Sequence, residues 1–533
     1  MNKGKSHFGR LPFFVLIFSV YPSLALLSTN IREVYPSVVF RPLVISLLGG
    51  FILALLLWSL LKDWTRASLG TLVVLLFFFS YGHIARLLID RFDPDYNKFI
   101  EIALYLFILV IGYFAFRWIV KRPTGFMDWM GFLNTIALVL ILFPLFQIFS
   151  MRRAATRPSE DANPTPASGN VPTTSQGTPT TDSSPPGRIT EYPDVYLIVL
   201  DGYARGDTLM ATGYDNSPFL NSLEEMGFFV AECSRTTYRS TLLSMTSTLN
   251  MDYLWRAIPN TGPADPDAAP LYEALLHSQV RSDFEQRGYT IVGFESGYQW
   301  DEWTDADKYI TIRDDPANAE FPASSITEFE YIFLRNTVAY PLFENSIFAV
   351  QRYYDHYNRV LYQLDELPKV ASSVPGPKFV YAHIMAPHTP FIFLPDGSLN
   401  TDSRFYNLEN GTPSNSALWT EGYFNSIEFL NSRMTGILSE IINNSKIPPI
   451  IVLQGDHGYL IGERRYNNLM AFYLPNGGNL SLYDTITPVN TFRLINNLYF
   501  GTDLKLRNDV SLDADFGRPY ARKAVKPYPE TCP

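Results

Sequence analysis

Cysteine and histidine are the scarce residues of this sequence, and each scarcity excludes something. Two cysteines in 533 residues, Cys233 and Cys532, are too few for a disulfide scaffold or a cysteine-ligated zinc site. Pairing them would need an oxidising compartment, and the expectation is two independent thiols, Cys233 buried and Cys532 on a frayed tail. Histidine occurs seven times, and none follows His457. His7 is in the amino-terminal tail and His83 lies in or beside an apolar span. His277 and His356 fall within amphipathic helical patterns, where a packed or surface imidazole is ordinary. That leaves His383, His388 and His457 for chemistry. A basic surplus is also missing where a nucleic-acid partner would need one. Residues 151–533 carry 29 Lys and Arg against 45 Asp and Glu. An acidic half of that kind argues against nucleic acid and keeps an exposed domain soluble. There is no internal repeat.

The first 150 residues are different, with 13 Lys and Arg against 7 Asp and Glu and five long apolar segments. These run over about 11–28, 38–61, 69–88, 99–120 and 129–150. Each is near the ~20 residues that a bilayer core requires. The first resembles a signal peptide in having Lys3, Lys5 and Arg10 before a short apolar core, but four more spans follow. With the amino terminus inside, eight basic residues flank each side, so the positive-inside rule does not orient the chain. From Ala154 to about Thr190 the sequence is rich in Pro, Ser, Thr, Gly and Asn and nearly free of apolar residues. It is expected to be an extended tether.

From Tyr192 onward, strand-like and helix-like stretches alternate. Apolar runs at 195–200, 289–294, 378–382, 450–454 and 469–474 read as buried strands. Helical patterns cover 271–287, 346–367 and 421–442, and Ser217-Pro218 marks a helix start. The alternation predicts a three-layer α/β domain with a mostly parallel sheet, attached to a multi-pass α-helical membrane domain. The expected limits are 1–150 for the membrane domain, 151–190 for the linker, 191–505 for the α/β domain and 506–533 for a C-terminal tail.

Two strand ends stand out. Val195-Tyr196-Leu197-Ile198-Val199-Leu200 stops at Asp201-Gly202, and Ile450-Ile451-Val452-Leu453-Gln454 stops at Gly455-Asp456-His457-Gly458. Ligands sit beyond the carboxyl ends of parallel strands, where both acids fall. A hydroxyl-rich turn, Thr236-Thr237-Tyr238-Arg239-Ser240-Thr241, feeds a helix. A hydroxyl there would sit at a positive helix end. Two carboxylates, one imidazole and one alkoxide make a four-ligand set for a divalent cation.

The runs VYLIVLDGYARGDTL, SRTTYRSTLLSM, YAHIMAPHTPF and IVLQGDHG resemble the alkaline phosphatase and sulfatase superfamily. The likeness is strongest to its membrane-bound phosphoglycerol transferase branch, the lipoteichoic acid synthase-like proteins. It covers roughly residues 192–501, and the membrane part matches in general layout only. The resemblance implies Asp201, Thr241, Asp456 and His457 as metal ligands and Thr241 as covalent nucleophile. It implies one divalent ion, Mn²⁺ first and Mg²⁺ or Zn²⁺ next, because the second histidine-completed site of two-metal members has no residue to supply it after His457. His388 lies where the family keeps a substrate-binding histidine, and His383 sits at the preceding strand end. Trp300, with Tyr298 and Trp303, is placed to wall a glycerol or sugar, and Arg464, beside Arg465, to meet phosphate. Thr236, Thr237 and Ser240 compete with Thr241 as hydroxyls. Cys233 lacks the Cys-x-Pro-x-Arg context of sulfatases, which disfavours sulfatase chemistry. The implied activity is transfer of a phosphoglycerol-type group from a phospholipid donor to an extracytoplasmic glycan or polymer, with the catalytic domain outside the cytoplasm. The alternatives are a membrane-anchored phosphodiesterase, phosphatase or sulfuric-ester-type hydrolase, and then phosphoethanolamine transfer. A degenerate, non-enzymatic interaction module is the remaining class, which the complete ligand set argues against.

Overall fold

The structure is a computed structural model that describes residues 11–31, 34, 36–92, 98–121, 127–155, 192–314, 326–343, 347–406, 408, 417–458 and 462–526. The expected linker at 151–190 lies outside the described residues, apart from the end of a helix at Ala155. The chain divides into two units, one of residues 1–157 and 321–355, the other of 158–320 and 356–533.

The first unit is built on α1 (Phe13–Asn30), α2 (Phe40–Leu61), α3 (Trp64–Phe92), α4 (Lys98–Lys121) and α5 (Met127–Ala155). All five are long and apolar enough to cross a membrane. Their large exposed side chains, Phe51, Leu60, Phe107, Phe114 and Phe146 among them, form an apolar exterior that water does not support. α1 packs against α2 and α5. Close approach is possible because Gly50 of α2 meets Ser19 of α1: a Cβ at Gly50 would lie 1.9 Å from the Ser19 hydroxyl. The start of α1 is capped from a distance. Asn134 of α5, fully buried, accepts from Phe14 N at 2.9 Å and donates to Leu11 O at 2.8 Å.

A stretch that the sequence pattern assigned to the α/β domain belongs to this unit. The helix Glu328–Arg335 has a capping box between Thr327 and Glu330. Glu330 also takes a two-pronged ion pair from Arg41 at the start of α2. Behind the helix, Asn336 O accepts from Gly82 N at 3.2 Å, and Val338 N donates to Phe78 O at 2.9 Å. Phe329 is buried beside Leu27 and Val39.

The second unit holds a seven-stranded sheet. Its strands are β1 (Val195–Leu200), β2 (Phe229–Val230), β3 (Thr290–Phe294), β4 (Lys308–Ile310), β5 (Lys378–Ile384), β6 (Ile450–Gly455) and β7 (Met470–Tyr473). The spatial order is β2-β7-β6-β1-β5-β3-β4, parallel from β6 to β4, with β7 antiparallel to β6 and β2 antiparallel to β7. β1 occupies the centre. Val195, Leu197 and Val199 join one core, and Tyr196, Ile198 and Leu200 on the opposite face are equally buried. Burial on both faces requires a layer on each side, which is the predicted three-layer arrangement.

Two details differ from the sequence pattern. The helix expected over 271–287 is two helices, Ala269–Leu276 and Gln279–Gln286, because Ser278 turns extended and caps the second through Arg281 N. Beyond residue 505 the chain forms a small hairpin of β8 (Ser511–Leu512) and β9 (Ala524–Val525). It is bonded to the hydroxyl-rich turn: Leu512 N donates to Thr237 O, and the Ser511 hydroxyl to Thr236 O. The expectation of two free thiols is overturned. Cys233 is half-buried and disulfide-bonded, and Cys532 is the one other cysteine in the sequence.

Candidate active site

Parallel register assembles the site. Leu200 of β1 aligns with Ile384 of β5 and Gly455 of β6, and Val199 aligns with His383. Asp201 and Asp456 therefore leave adjacent strands side by side, with His383 on the other flank. The turn after β1 needs Gly202, at φ +74°, whose N–H donates to Asp456 Oδ1 at 2.8 Å. Gly455 is required by proximity, since a Cβ there would lie 2.2 Å from Tyr203 O.

Thr241 comes from a third direction, as the first residue of α6 (Thr241–Leu249). The Ser240 side chain does not cap that helix, and its first turn carries no acid, so its amino end stays electropositive. α6 is tied to the Asp456 turn by the Ser244 hydroxyl, which donates to Asp456 O at 2.6 Å and lies 2.7 Å from the Thr236 hydroxyl. Thr241 lies close enough to the Asp456 carboxylate to help hold it down. Thr236 is fully buried and engaged with Ser244. Thr237 is buried too, and its hydroxyl has no partner.

At the centre three acceptors face one another without a donor. His457 Nε2 lies 3.6 Å from Asp201 Oδ1 and 3.6 Å from Asp456 Oδ2. Both of those oxygens are buried and have no hydrogen-bond partner. The imidazole donates through Nδ1 to Gly458 O at 2.8 Å, which leaves the Nε2 lone pair toward the carboxylates. A tetrahedral site with ~2.1 Å bonds has edges of about 3.4 Å, close to these separations. The donor set fits a divalent cation: of the expected ligands, Asp201, Asp456 and His457 are brought together, with Thr241 beside Asp456. Burial and the charge of Asp456 push the Asp201 carboxyl up. Burial would raise Asp456 as well, but the neighbouring imidazoles, the Gly202 N–H and the Thr241 hydroxyl outweigh it and hold it down. Burial lowers His457.

His383 and His388 close around this centre. Two groups of ligand atoms, Asp201 with His388 and His457, and Asp201 with His383 and Asp456, each lie within 4.8 Å of one another. His388 is half-buried, its ring 6.0 Å from that of His457, and its Nδ1 donates to Thr389 O at 3.0 Å. His383 is almost wholly buried, and Nε2 has no hydrogen-bond partner. On its other side Nδ1 lies 2.6 Å from Asp301 Oδ2, and Asp301 Oδ1 accepts from the Tyr381 hydroxyl at 2.6 Å. Burial alone would lower His383, but the charge and hydrogen bond of Asp301 outweigh it and raise the imidazole to about 9.

The remaining expected contacts sort differently. Trp303 is fully buried in the sheet core, 4.6 Å from the Tyr381 ring, so it packs and does not wall a substrate. Trp300 is half-buried, 5.9 Å from Tyr298 and 6.3 Å from Tyr272. Arg465, next to Arg464, is the arginine whose charge acts on Asp201 and Asp456. Its Nε donates to Arg239 O at 2.8 Å. Asp301 was not singled out from the sequence, although it sits in the turn after β3 that drew attention for its aromatics.

No protein-family model matches the chain, and a search of the curated proteins finds no match. Among solved structures it is similar to the zinc-bound periplasmic domain of EptC from Escherichia coli. The identity is 13%, the coverage 65% of this chain and 93% of that one, and the TM-score 0.38. It is also similar to the integral membrane phosphoethanolamine transferase EptA from Neisseria meningitidis, at 11% identity over 91% and 95% with a TM-score of 0.37. A Vibrio parahaemolyticus protein of the alkaline phosphatase superfamily shares 11% identity over 62% and 75%, with a TM-score of 0.35. The likeness is a distant one.

Proposed function

We propose that this chain is a membrane-bound, divalent-metal-dependent transferase of phosphate esters that works through a covalent threonine. The observation that carries the reading is a set of three buried acceptors that have no donor of their own, beside which Thr241 opens α6. A free threonine hydroxyl is a poor nucleophile at neutral pH and needs activation. Asp201, Thr241, Asp456 and His457 would hold the ion, which supplies charge to favour the alkoxide and to offset the phosphoryl oxygens. Three oxygens and one nitrogen suit Mn²⁺ or Mg²⁺, with Zn²⁺ also accommodated.

The chain's own residues then do the following. Thr241 Oγ1 bonds to phosphorus as the bond from phosphorus to the donor's glycerol oxygen breaks. The leaving oxygen takes a proton, for which His388 at the mouth is the positioned donor. In the second half an acceptor hydroxyl bonds to phosphorus, its proton returns to the imidazole, and the Thr241 bond breaks. Arg465 and the uncapped start of α6 supply positive potential to the transferred group. The donor is a phospholipid and the acceptor a glycan or polymer outside the cytoplasm, with the transferred group of the phosphoglycerol type. Five spans that anchor the enzyme beside a bilayer-borne donor support this reading.

Purified protein incubated with phospholipids labelled in different headgroups tests it. Release of one headgroup with a matching adduct on the peptide holding Thr241 is expected. Release without an acceptor and without any adduct would favour a hydrolase. Release of ethanolamine phosphate alone would replace phosphoglycerol in the reading.

A further inference from the structure

A cavity of about 380 Å³ lies within the membrane unit, between α1 and α3, with one wall from the helix Glu328–Arg335 and the Asn336 that follows it. Its volume is that of an ordinary small-molecule site. The lining changes character along its length. Phe18 and Pro22 on α1 and Leu75 and Phe79 on α3 make one end apolar. Thr29, Ser80, His83 and Asn336 make the other end polar.

Three further facts bear on the occupant. Phe18 and Thr29 are eleven residues apart on one helix, which is ~16 Å of rise and about half of a ~30 Å hydrocarbon core. The cavity is therefore one leaflet deep. Because successive spans alternate in direction, the carboxyl ends of α1, α3 and α5 lie on one side, and the polar end of the cavity is on that side. This is where the chain leaves α5 toward the α/β domain, whatever the absolute orientation. Finally, His83 falls inside the third candidate span and is exposed there, while Asn336 Oδ1 is buried without a hydrogen-bond partner and Nδ2 is used on Ile332 O. An ionisable group within a span is costly unless it serves a ligand or a pathway. A buried acceptor without a donor leaves a hydrogen bond unmade.

We propose that this cavity seats one phospholipid of the leaflet on the catalytic side. One acyl chain lies along Phe18, Pro22 and Leu75. The ester and phosphate oxygens meet His83, and a headgroup hydroxyl or ammonium donates to Asn336 Oδ1. The cavity is distinct from the exposed flanks of α2 and α4, because Phe333 and Asn336 give it a further wall. Its identity as a seat for the donor rests on the function proposed above. A seat for phospholipid does not.

The full chain, reconstituted in vesicles containing a phospholipid with a photoactivatable acyl chain, tests this. Adducts should concentrate on residues 18–29 and 75–83 by at least about tenfold over α4. Leu76→Trp, a lipid-exposed position on the cavity rim, should reduce those adducts several-fold and raise the KM for vesicle-borne donor. Leu106→Trp, at a position on α4 that is also exposed, should leave them at the wild-type level. Adducts spread evenly over α2 and α4, or unchanged in Leu76→Trp, would overturn the proposal. Wild-type mapping alone decides the matter if Leu76→Trp does not fold. Concentrated adducts without transfer of any headgroup would sustain the lipid seat and refute the donor reading.

Discussion

Asp301 Oδ2 lies 2.6 Å from His383 Nδ1, and the other oxygen of the same carboxylate accepts from Tyr381 at 2.6 Å. A carboxylate so held fixes the ring: Nδ1 carries the proton toward Asp301, and Nε2 is presented to the Asp201 and Asp456 pair. Asp301 is thus a positioning residue that acts through His383. Asp301→Asn keeps the volume and one hydrogen bond to Tyr381 but removes the charge that orients the imidazole. A 10- to 100-fold loss in kcat/KM is expected, the usual scale for such partners. The check is a double-mutant cycle. If Asp301 acts through the ring, Asp301→Asn combined with His383→Gln should be no worse than His383→Gln alone. Additive losses would sink the assignment.

Thr241→Ala should lower turnover by about a thousandfold or more and prevent adduct formation, as removal of a covalent nucleophile does. Thr241→Ser should keep part of the activity because the oxygen survives. The fold should tolerate both, since Thr241 is half-buried and the bond from Ser244 to the Asp456 turn remains. A labelled phosphoryl donor followed by peptide mass spectrometry gives the reading. An adduct on the peptide at Ser240 instead would move the nucleophile by one residue.

Glu330 joins two jobs, capping its own helix and pairing with Arg41. Glu330→Gln retains cap hydrogen bonding and loses the charge, while Glu330→Ala loses both. Hydrogen exchange at amides 327–336 should accelerate in both variants, more for Ala. A charged hydrogen bond of this kind is worth ~1.5–3 kcal/mol and a cap ~1, with the first figure reduced because Arg41 is 38% exposed. Equal exchange in wild type and Glu330→Ala would mean that the segment is held by Phe329 and Phe333 alone.

Which parts of this were legible beforehand follows from the range of the forces involved. β1 and β6 were plain because burial on both faces demands an unbroken apolar run, and both runs end in acids. The break at Ser278 was not, because a serine in a helical pattern reads as neutral until its side chain is seen bonded to Arg281 N. Asp301 and His383 are 82 positions apart and meet only through the β3–β5 pairing. Nothing local in either stretch announces the other. The helix at 328–335 looked like part of the α/β domain because its chain neighbours are. Its apolar side chains, Phe329 and Phe333, find their partners on α1, α3 and the turn before α2 instead. Arg464 and Arg465 both stood as phosphate contacts in the sequence, because adjacent arginines are indistinguishable until the short helix Gly462–Tyr466 sets which one acts on the two acids.

The last prediction is that one tightly held divalent ion suffices. The two ligand groups are not independent, because both use Asp201. Asp201 Oδ1 and Asp456 Oδ2 are, among the described residues, the buried carboxylate oxygens without partners, and His457 Nε2 stands 3.6 Å from each. A single divalent charge balances the two carboxylates. A second would leave an excess of positive charge in a buried site, with His383 already tied to Asp301. Chelation should therefore abolish turnover, and titration of the chelated protein with Mn²⁺ or Zn²⁺ should restore it at about one equivalent. His457→Ala should lower bound metal far below that level, because it removes the nitrogen facing both carboxylates. His383→Gln should leave about one ion bound while reducing activity, since the Asp201, Asp456, His457 and Thr241 set is intact. A plateau at two ions that falls to one in His383→Gln would establish a second centre on the Asp201, His383 and Asp456 group.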